Sequence, residues 1–253
     1  MSLDITTLAA LRDEIDAIDR EIHALIERRA AIAPKVIAAK GGAPIWRPAR
    51  EAQVLRTRLA AAQGGLFSPL CLLGIWTQLM TGMTSIEVDF CFGIIRSTVE
   101  KITPTIRNHF GALPRLVPYD SANAVLGQTA HAITILPWPE PNLDDKWWPL
   151  LTQEEFKACK IGFALPFLPS HESQAPVALV AKILLEESGD DFSLLILPRG
   201  RLADWHRSAA RFQIIDQTAE LALIQLHDHP KDHESLILET QAETVGLVPR
   251  RIE

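Results

Sequence analysis

The sequence predicts an all-α N-terminal domain of three helices over residues 1–89, followed by an α/β domain over residues 90–253. Two observations predict this division. Before about residue 88, apolar residues recur at steps of three and four, which is the spacing of one helix face. After it, short apolar runs alternate with helical segments, which is typical of a sheet covered by helices.

The first predicted helix runs from about Asp4 to Lys40 and carries one long apolar stripe. The stripe comprises Leu8, Leu11, Ile15, Ile18, Ile22 and Leu25, and it continues through Arg29, Ile32, Val36 and Lys40. Pro34 lies inside this helix and is expected to kink it. A helix of this length spans about 50 Å, which two short helices cannot cover. A second copy of the chain is therefore expected to cover the rest.

Two cations, Arg29 and Lys40, lie on this otherwise apolar face. Buried cations are costly unless an anion neutralises them, so the stripe predicts an anionic ligand, a small polycarboxylate. The alternative is that both side chains snorkel to water at the edge of the stripe. Arg12 points about 100° away from Arg29 on the same helix. It is either a solvated surface residue or part of a site shared across a dimer.

The second helix begins at Pro48 and ends at Gly64-Gly65, and the third begins at Ser68-Pro69. The third helix carries Trp76, Met80, Met83 and Glu87 on one face. Glu87 therefore ends an apolar stripe, where its protonated form could donate a hydrogen bond to a ligand. The alternative is a helix-end glutamate that reaches water.

The segment 47–51 places Arg47, Arg50 and Glu51 around the start of the second helix. These residues are either part of a ligand site or ordinary first-turn electrostatics.

The second half begins with a predicted βαβαβ unit, which implies parallel strands. Strands are predicted at 90–95, 115–118, 132–136, 161–165, 177–183, 192–197 and 219–226, and helices at 97–110, 121–129 and 201–211. A loop over 137–149 contains Trp138, Trp147 and Trp148, for which hydrophobic packing over the domain interface is favoured and a ligand pocket is the alternative. The turn with His227, His229 and His233 is interpreted as solvated and polar rather than as a metal site.

Composition excludes several classes of function. The net charge of −6 argues against nucleic-acid and anionic-membrane surfaces. No apolar run is long enough to span a membrane, and the N-terminal residues do not form a signal peptide. The three cysteines, Cys71, Cys91 and Cys159, are widely spaced and odd in number, which favours a reducing, cytoplasmic setting without a metal.

Residues of about 5–90 resemble the all-helical, type II chorismate mutases. The resemblance is carried by LRDEIDAID at 11–19, IERR at 26–29 followed by Lys40, RPARE at 47–51, and IWTQLMTGMTSIE at 75–87. It implies an intertwined homodimer with shared active sites that converts chorismate to prephenate by a Claisen rearrangement, without a cofactor. The chain departs from the family at Met83, where a serine is frequent, and at Glu87, where glutamine is frequent.

The resemblance also implies a role for each matching residue. Arg12 from one protomer and Arg29 from the other hold the two carboxylates of chorismate. Lys40 and Glu87 contact the ether oxygen of the bond that breaks. Glu51 binds the substrate hydroxyl, and Arg50 supports the same end of the site.

Residues 90–253 resemble, more weakly, a degenerate prephenate dehydratase region with an ACT-like segment at its end. The shared features are the stretch 121–142 and the strand-loop-helix stretch 191–212, and no dehydratase catalytic residue is carried over. The leading hypothesis is a chorismate mutase with a fused accessory domain in aromatic amino-acid biosynthesis. The alternatives are a mutase-derived dimer that senses an aromatic ligand with little catalysis, and a bifunctional mutase–dehydratase.

Overall fold

A computed structural model describes residues 7–40, 46–87, 91–128, 133–142, 145–170 and 173–252, except for the side chains of Ile37, Lys40 and Glu87. Its N-terminal part is helical: α1 Leu8–Ala30, α2 Ala33–Lys40, α3 Pro48–Ala61 and α4 Pro69–Glu87. The rest alternates strands and helices from Cys91 onward. The predicted fold class, helices followed by an α/β region, is therefore confirmed.

The first helix is interrupted where the sequence places a proline. The chain turns at Ala31 and Ile32 between α1 and α2. Pro34 has no N–H to donate to the carbonyl of Ala30, and its ring crowds that carbonyl. The predicted effect of Pro34 is thus confirmed, whereas the prediction of one continuous helix to Lys40 is wrong. Its predicted start at Asp4 lies outside the described residues.

A nine-stranded mixed sheet forms the second part of the chain, in the order β2-β1-β3-β5-β4-β9-β6-β8-β7. The strands are β1 Cys91–Ile95, β2 Arg115–Tyr119, β3 Ile133–Pro137, β4 Cys159–Leu165, β5 Val177–Lys182, β6 Asp191–Pro198, β7 Phe212–Gln217, β8 Leu221–Leu226 and β9 Glu243–Pro249. The helices are α5 Val99–Phe110, α6 Ala122–Leu126, α7 Leu202–Arg207 and α8 Glu234–Glu239. Strand β1 pairs in parallel with both β2 and β3, as the βαβαβ pattern predicted.

The last third of the chain differs from the predicted elements. The helix predicted at 201–211 ends at Arg207, and the chain then enters β7, which was not predicted. Strand β9 was also missed. It begins with Glu243 and Thr244, so its apolar run is short, yet it lies between β4 and β6 in the middle of the sheet.

Helices α3 and α4 share one hydrophobic cluster with the sheet. The cluster joins Ala52, Leu55 and Leu73 of the helices to residues such as Phe92 and Phe163 of the strands. None of the helices in the described part of the chain combines the length and apolarity needed to cross a membrane.

The tryptophan loop packs into a second cluster on the sheet. Trp147 and Trp148 are buried, and their indole N–H groups donate to the Pro137 carbonyl at 2.9 Å and to Asp216 at 2.7 Å. The packing interpretation of this loop is confirmed, although the loop packs within the α/β core.

Gly162 of β4 allows the start of α3 to lie against the sheet. A Cβ at this position would lie 2.8 Å from Cγ of Pro48 and 2.3 Å from Cδ1 of Ile183. The Ile183 methyl could rotate away, but the Pro48 ring could move only with α3. Close packing at Gly162 therefore sets the position of the helix that carries Arg47, Arg50 and Glu51.

We expect Gly162→Ala to lower the free energy of unfolding by about 1–3 kcal/mol, because overpacking forces the helix away from the strand. Urea unfolding of the two proteins measures this difference. Gly200→Ala is the matched control, since a Cβ there meets nothing within 4 Å. Equal stability of the Gly162→Ala and Gly200→Ala proteins would contradict the prediction.

Candidate active site between the helices

A cavity of about 390 Å³ lies among the four N-terminal helices and the turns that join them. The lining residues are Arg29, Ile32, Ala33, Val36, Trp46, Arg47, Arg50, Glu51, Val54, Met80, Met83 and Thr84. The break between α1 and α2 brings Arg29 and Ile32 to one wall. The first turn of α3 supplies the charged wall, and α4 supplies the opposite one.

The cavity has an excess of positive charge. Arg47 is bound to Glu186, its guanidinium lying 3.0 Å from the carboxylate. Neither Arg29 nor Arg50 forms an ion pair with a described carboxylate, and Arg50 makes only a long contact of 3.5 Å to Gln53. Partial burial lowers the pKa of the Arg29 guanidinium below its ordinary value. A cation with that desolvation cost is stabilised by an anionic ligand.

Glu51 is the one carboxylate among the cavity-lining residues, and it is already bound on one side. Its Oε1 lies 2.7 Å from Nε2 of His109, which belongs to α5 of the α/β region. The Glu51 side chain is 12 % exposed and that of His109 is 4 % exposed. No described residue donates a hydrogen bond to the other oxygen of Glu51, so that oxygen can accept one from a ligand hydroxyl.

The remaining walls are largely apolar, with two polar exceptions. Ile32, Val36, Val54, Met80 and Met83 contribute aliphatic and thioether surface.

Those two exceptions are Thr84 and Trp46. Thr84 donates its hydroxyl to the Met80 carbonyl at 3.1 Å. Trp46 is buried, and its indole N–H has no partner among the described residues. The cavity thus combines three arginines with largely apolar surface, which suits a small, partly apolar polyanion.

The structure brings together half of the predicted site residues. Arg29, Arg50 and Glu51 line one cavity. Arg12 is exposed and does not line it, because it lies 17 residues earlier on α1, about 25 Å along the axis. Lys40 and Glu87 end α2 and α4, and their side chains lie outside the described residues.

Three residues of the site were not predicted from the sequence. Trp46 and Thr84 are ordinary apolar and helical residues by pattern, and only the packing places them at the cavity. His109 lies 58 residues from Glu51 in a segment with no motif. The only available signal was a histidine, a side chain that can carry a charge, on the apolar face of the helix predicted at 97–110.

Two histidines of the turn at 227–233 pair with carboxylates, and no group of three or more metal-ligating side chains is found within the described residues. His229 lies 2.9 Å from Glu187, and His233 lies 3.3 Å from Asp228. The backbone N–H of Arg211 and then its guanidinium donate to Asp228, which lowers the pKa of that carboxyl to about 2.

Asp228 gives a pH prediction. Because its pKa falls from 3.8 to about 2 on folding, the ionised form stabilises the fold fully above pH 3.8. That contribution is lost as the pH falls through about 2. We expect Asp228→Asn to flatten the fall in the free energy of unfolding across this range, as measured by urea unfolding at a series of pH values. Equal slopes in the two proteins would contradict the assignment.

Residues 11–88 match the family model of chorismate mutase type II. The resemblance predicted for the N-terminal helices is thereby confirmed over this range, which contains all but the first three residues of α1, the helices α2–α4 and the cavity-lining residues named above. The chorismate mutase segment covers less than half of the chain, and the α/β region lies outside it. No curated protein matches the sequence.

Two solved structures are weakly similar to this chain. The X-ray structure of prephenate dehydratase from Streptococcus mutans is 12 % identical, with a TM-score of 0.36, and the match covers 63 % of this chain and 98 % of that chain. A structure described as GqqA, a novel type of quorum quenching acylase, is 12 % identical, with a TM-score of 0.45, and the match covers 64 % of this chain and 95 % of that chain.

Proposed function

We propose that this protein is a chorismate mutase, an isomerase that converts chorismate to prephenate by a Claisen rearrangement. The observation that carries the proposal is the cavity in which Arg29, Arg50 and Glu51 meet, inside the segment that matches the family model. Chorismate carries two carboxylates and a hydroxyl, which correspond to the unpaired arginines and the half-bound glutamate.

The reaction requires positioning and charge stabilisation rather than a nucleophile or a metal. One bond between carbon and the ether oxygen breaks while a carbon–carbon bond forms in the same molecule. The site must hold the compact conformer in which the two ends meet, and fixed donors must stabilise the charge that develops on the ether oxygen. We assign the first task to Arg29, Arg50 and Glu51. We assign the second task, stabilisation of the charge on the ether oxygen, to Lys40 and Glu87.

We assign the active form to a homodimer with shared sites. Helix α1 has no buried residue, although it carries the longest apolar stripe of the chain. Exposed members of the stripe are Leu8, Leu11, Ile15, Ile18, Ile22 and Leu25, each between 45 % and 65 % exposed. An exposed apolar face of this size is unfavourable in water. The same helix of a second copy of the chain has the matching apolar face and the length to cover it. In such a dimer Arg12 of one protomer completes the cavity of the other.

In this proposal residues 1–89 form the mutase domain and residues 90–253 an accessory domain. Cys71, Cys91 and Cys159, all within the described residues, form no disulfide, which supports a reducing, cytoplasmic setting in aromatic amino-acid biosynthesis. Two other functions remain to be separated from the first. They are a ligand-sensing dimer with little catalysis, and a bifunctional enzyme that also dehydrates prephenate.

One assay separates these functions. Purified full-length protein is incubated with chorismate, and prephenate and phenylpyruvate are separated by chromatography at neutral pH. We expect prephenate to form far above the uncatalysed rate and phenylpyruvate to stay at the level of a protein-free blank. Chorismate binding without turnover would favour the sensing dimer, and phenylpyruvate above the blank would establish the bifunctional enzyme.

A further inference from the structure

The contact between Glu51 and His109 joins the cavity to the α/β region. Glu51 lies in the first turn of α3, and His109 lies in the last turn of α5. Their side chains meet at 2.7 Å, where the His109 ring is buried and the Glu51 carboxylate is largely so. When Glu51 is ionised its carboxylate can only accept hydrogen bonds, which assigns the shared proton to Nε2 of His109.

His109 is itself held from several sides. Its ring contacts Phe110 edge-on, with centroids 4.6 Å apart, and Phe163 of β4 at 5.6 Å. Its backbone carbonyl accepts a hydrogen bond from the side chain of Gln78 in α4 at 3.1 Å. Gly111 follows with a φ of 71°, and a Cβ there would lie 2.0 Å from Oε1 of Gln78. The imidazole is therefore fixed by the sheet and by α4.

The charges around Glu51 explain why it needs such a partner. Arg50 is its neighbour in sequence, and Arg29 and Arg47 line the same cavity. Without a donor on the far side, the carboxylate would turn toward these cations and neutralise them. The cavity would then lose both its hydroxyl acceptor and part of the positive charge that binds carboxylates.

We infer that His109 is a positioning residue of the mutase site: it holds Glu51 away from the cavity arginines and leaves one carboxylate oxygen for the substrate hydroxyl. The α/β region thereby supplies part of the active-site support, although it lies outside the segment that matches the mutase family. The inference rests on the proposed function.

Two variants separate the hydrogen bond from simple packing. His109→Gln keeps an N–H donor toward Glu51, whereas His109→Phe keeps the volume between Phe110 and Phe163 but removes the donor. We expect His109→Phe to lower kcat/KM for chorismate about 10- to 100-fold, the range that a misplaced binding group produces. Most of the loss should lie in KM, and His109→Gln should recover most of it.

A double-mutant cycle tests whether His109 acts through Glu51. Glu51→Ala should lower kcat/KM by itself, and adding His109→Phe to it should change kcat/KM by less than about twofold. Losses that multiply in the double variant would overturn the inference. So would a His109→Gln protein as impaired as His109→Phe.

Thr105→Val is the matched control for disturbance of α5. Thr105 is buried one turn before His109, and its hydroxyl donates to the Ala175 carbonyl at 2.9 Å, away from the cavity. Its loss should destabilise the fold, read by urea unfolding, with kcat/KM unchanged. A Thr105→Val protein as inactive as His109→Phe would reduce His109 to a structural role. A wild-type protein that does not convert chorismate would instead overturn the proposed function.

Discussion

Arg29→Ala should lower kcat/KM for chorismate at least about 100-fold, equivalent to about 2.7 kcal/mol. The Arg29 guanidinium lines the cavity, it has no ion pair with a described carboxylate, and partial burial lowers its pKa. A guanidinium stays charged near neutral pH. A substrate carboxylate beside Arg29 offsets its desolvation. Steady-state kinetics with purified variants measure the loss.

Arg28→Ala is the matched control for this prediction. Arg28 precedes Arg29 in the last turn of α1, so both substitutions remove one cation from the same helix end. Arg28 does not line the cavity. We expect its loss to change kcat/KM by less than about threefold, because its charge lies outside the cavity and is screened by solvent. Equal losses in the two variants would show that Arg29 acts through the general charge of α1 and not through the cavity.

The helical half of the molecule was predictable because its signals are local. Proline and glycine positions set the start of α3 and the end of α1, and the steps of three and four identified the stripes. The sequence identified Arg29 because it interrupts an apolar stripe. It identified Arg50 and Glu51 because they cluster at a helix start. Pro34 explains the turn at Ala31, although the apolar pattern alone continued through that turn.

The rest depends on contacts between distant segments, which no local pattern contains. His109 acquires its role only when α5 packs beside α3, and Trp46 only when Gly162 lets α3 approach β4. Strand β9 has a weak apolar pattern, and its burial is set by the neighbouring strands of the sheet. The place of Arg12 is the clearest case, since a single protomer leaves it exposed and far from the cavity.

Substituting the exposed stripe should separate the dimer that we propose. Ile15→Asp combined with Ile22→Asp should convert the protein to a monomer of 28.0 kDa in light scattering, because each carboxylate would have to be buried without a partner. The matched control is Leu184→Asp combined with Leu238→Asp. These two leucines are 74 % and 78 % exposed and lie outside α1. The control should keep the mass of the wild-type protein.

Loss of the dimer should also abolish mutase activity, because Arg12 must come from the second protomer. Mixing inactive Arg12→Ala with inactive Arg29→Ala tests this directly. In a heterodimer one site carries both defects and the other carries neither, so random exchange of protomers should restore about a quarter of wild-type activity. Recovery requires that the two arginines of one site come from different chains, as the distance between them on α1 demands. Mixtures that exchange fully and stay inactive would contradict sites shared between protomers, and a wild-type protein of 28.0 kDa would exclude the dimer itself.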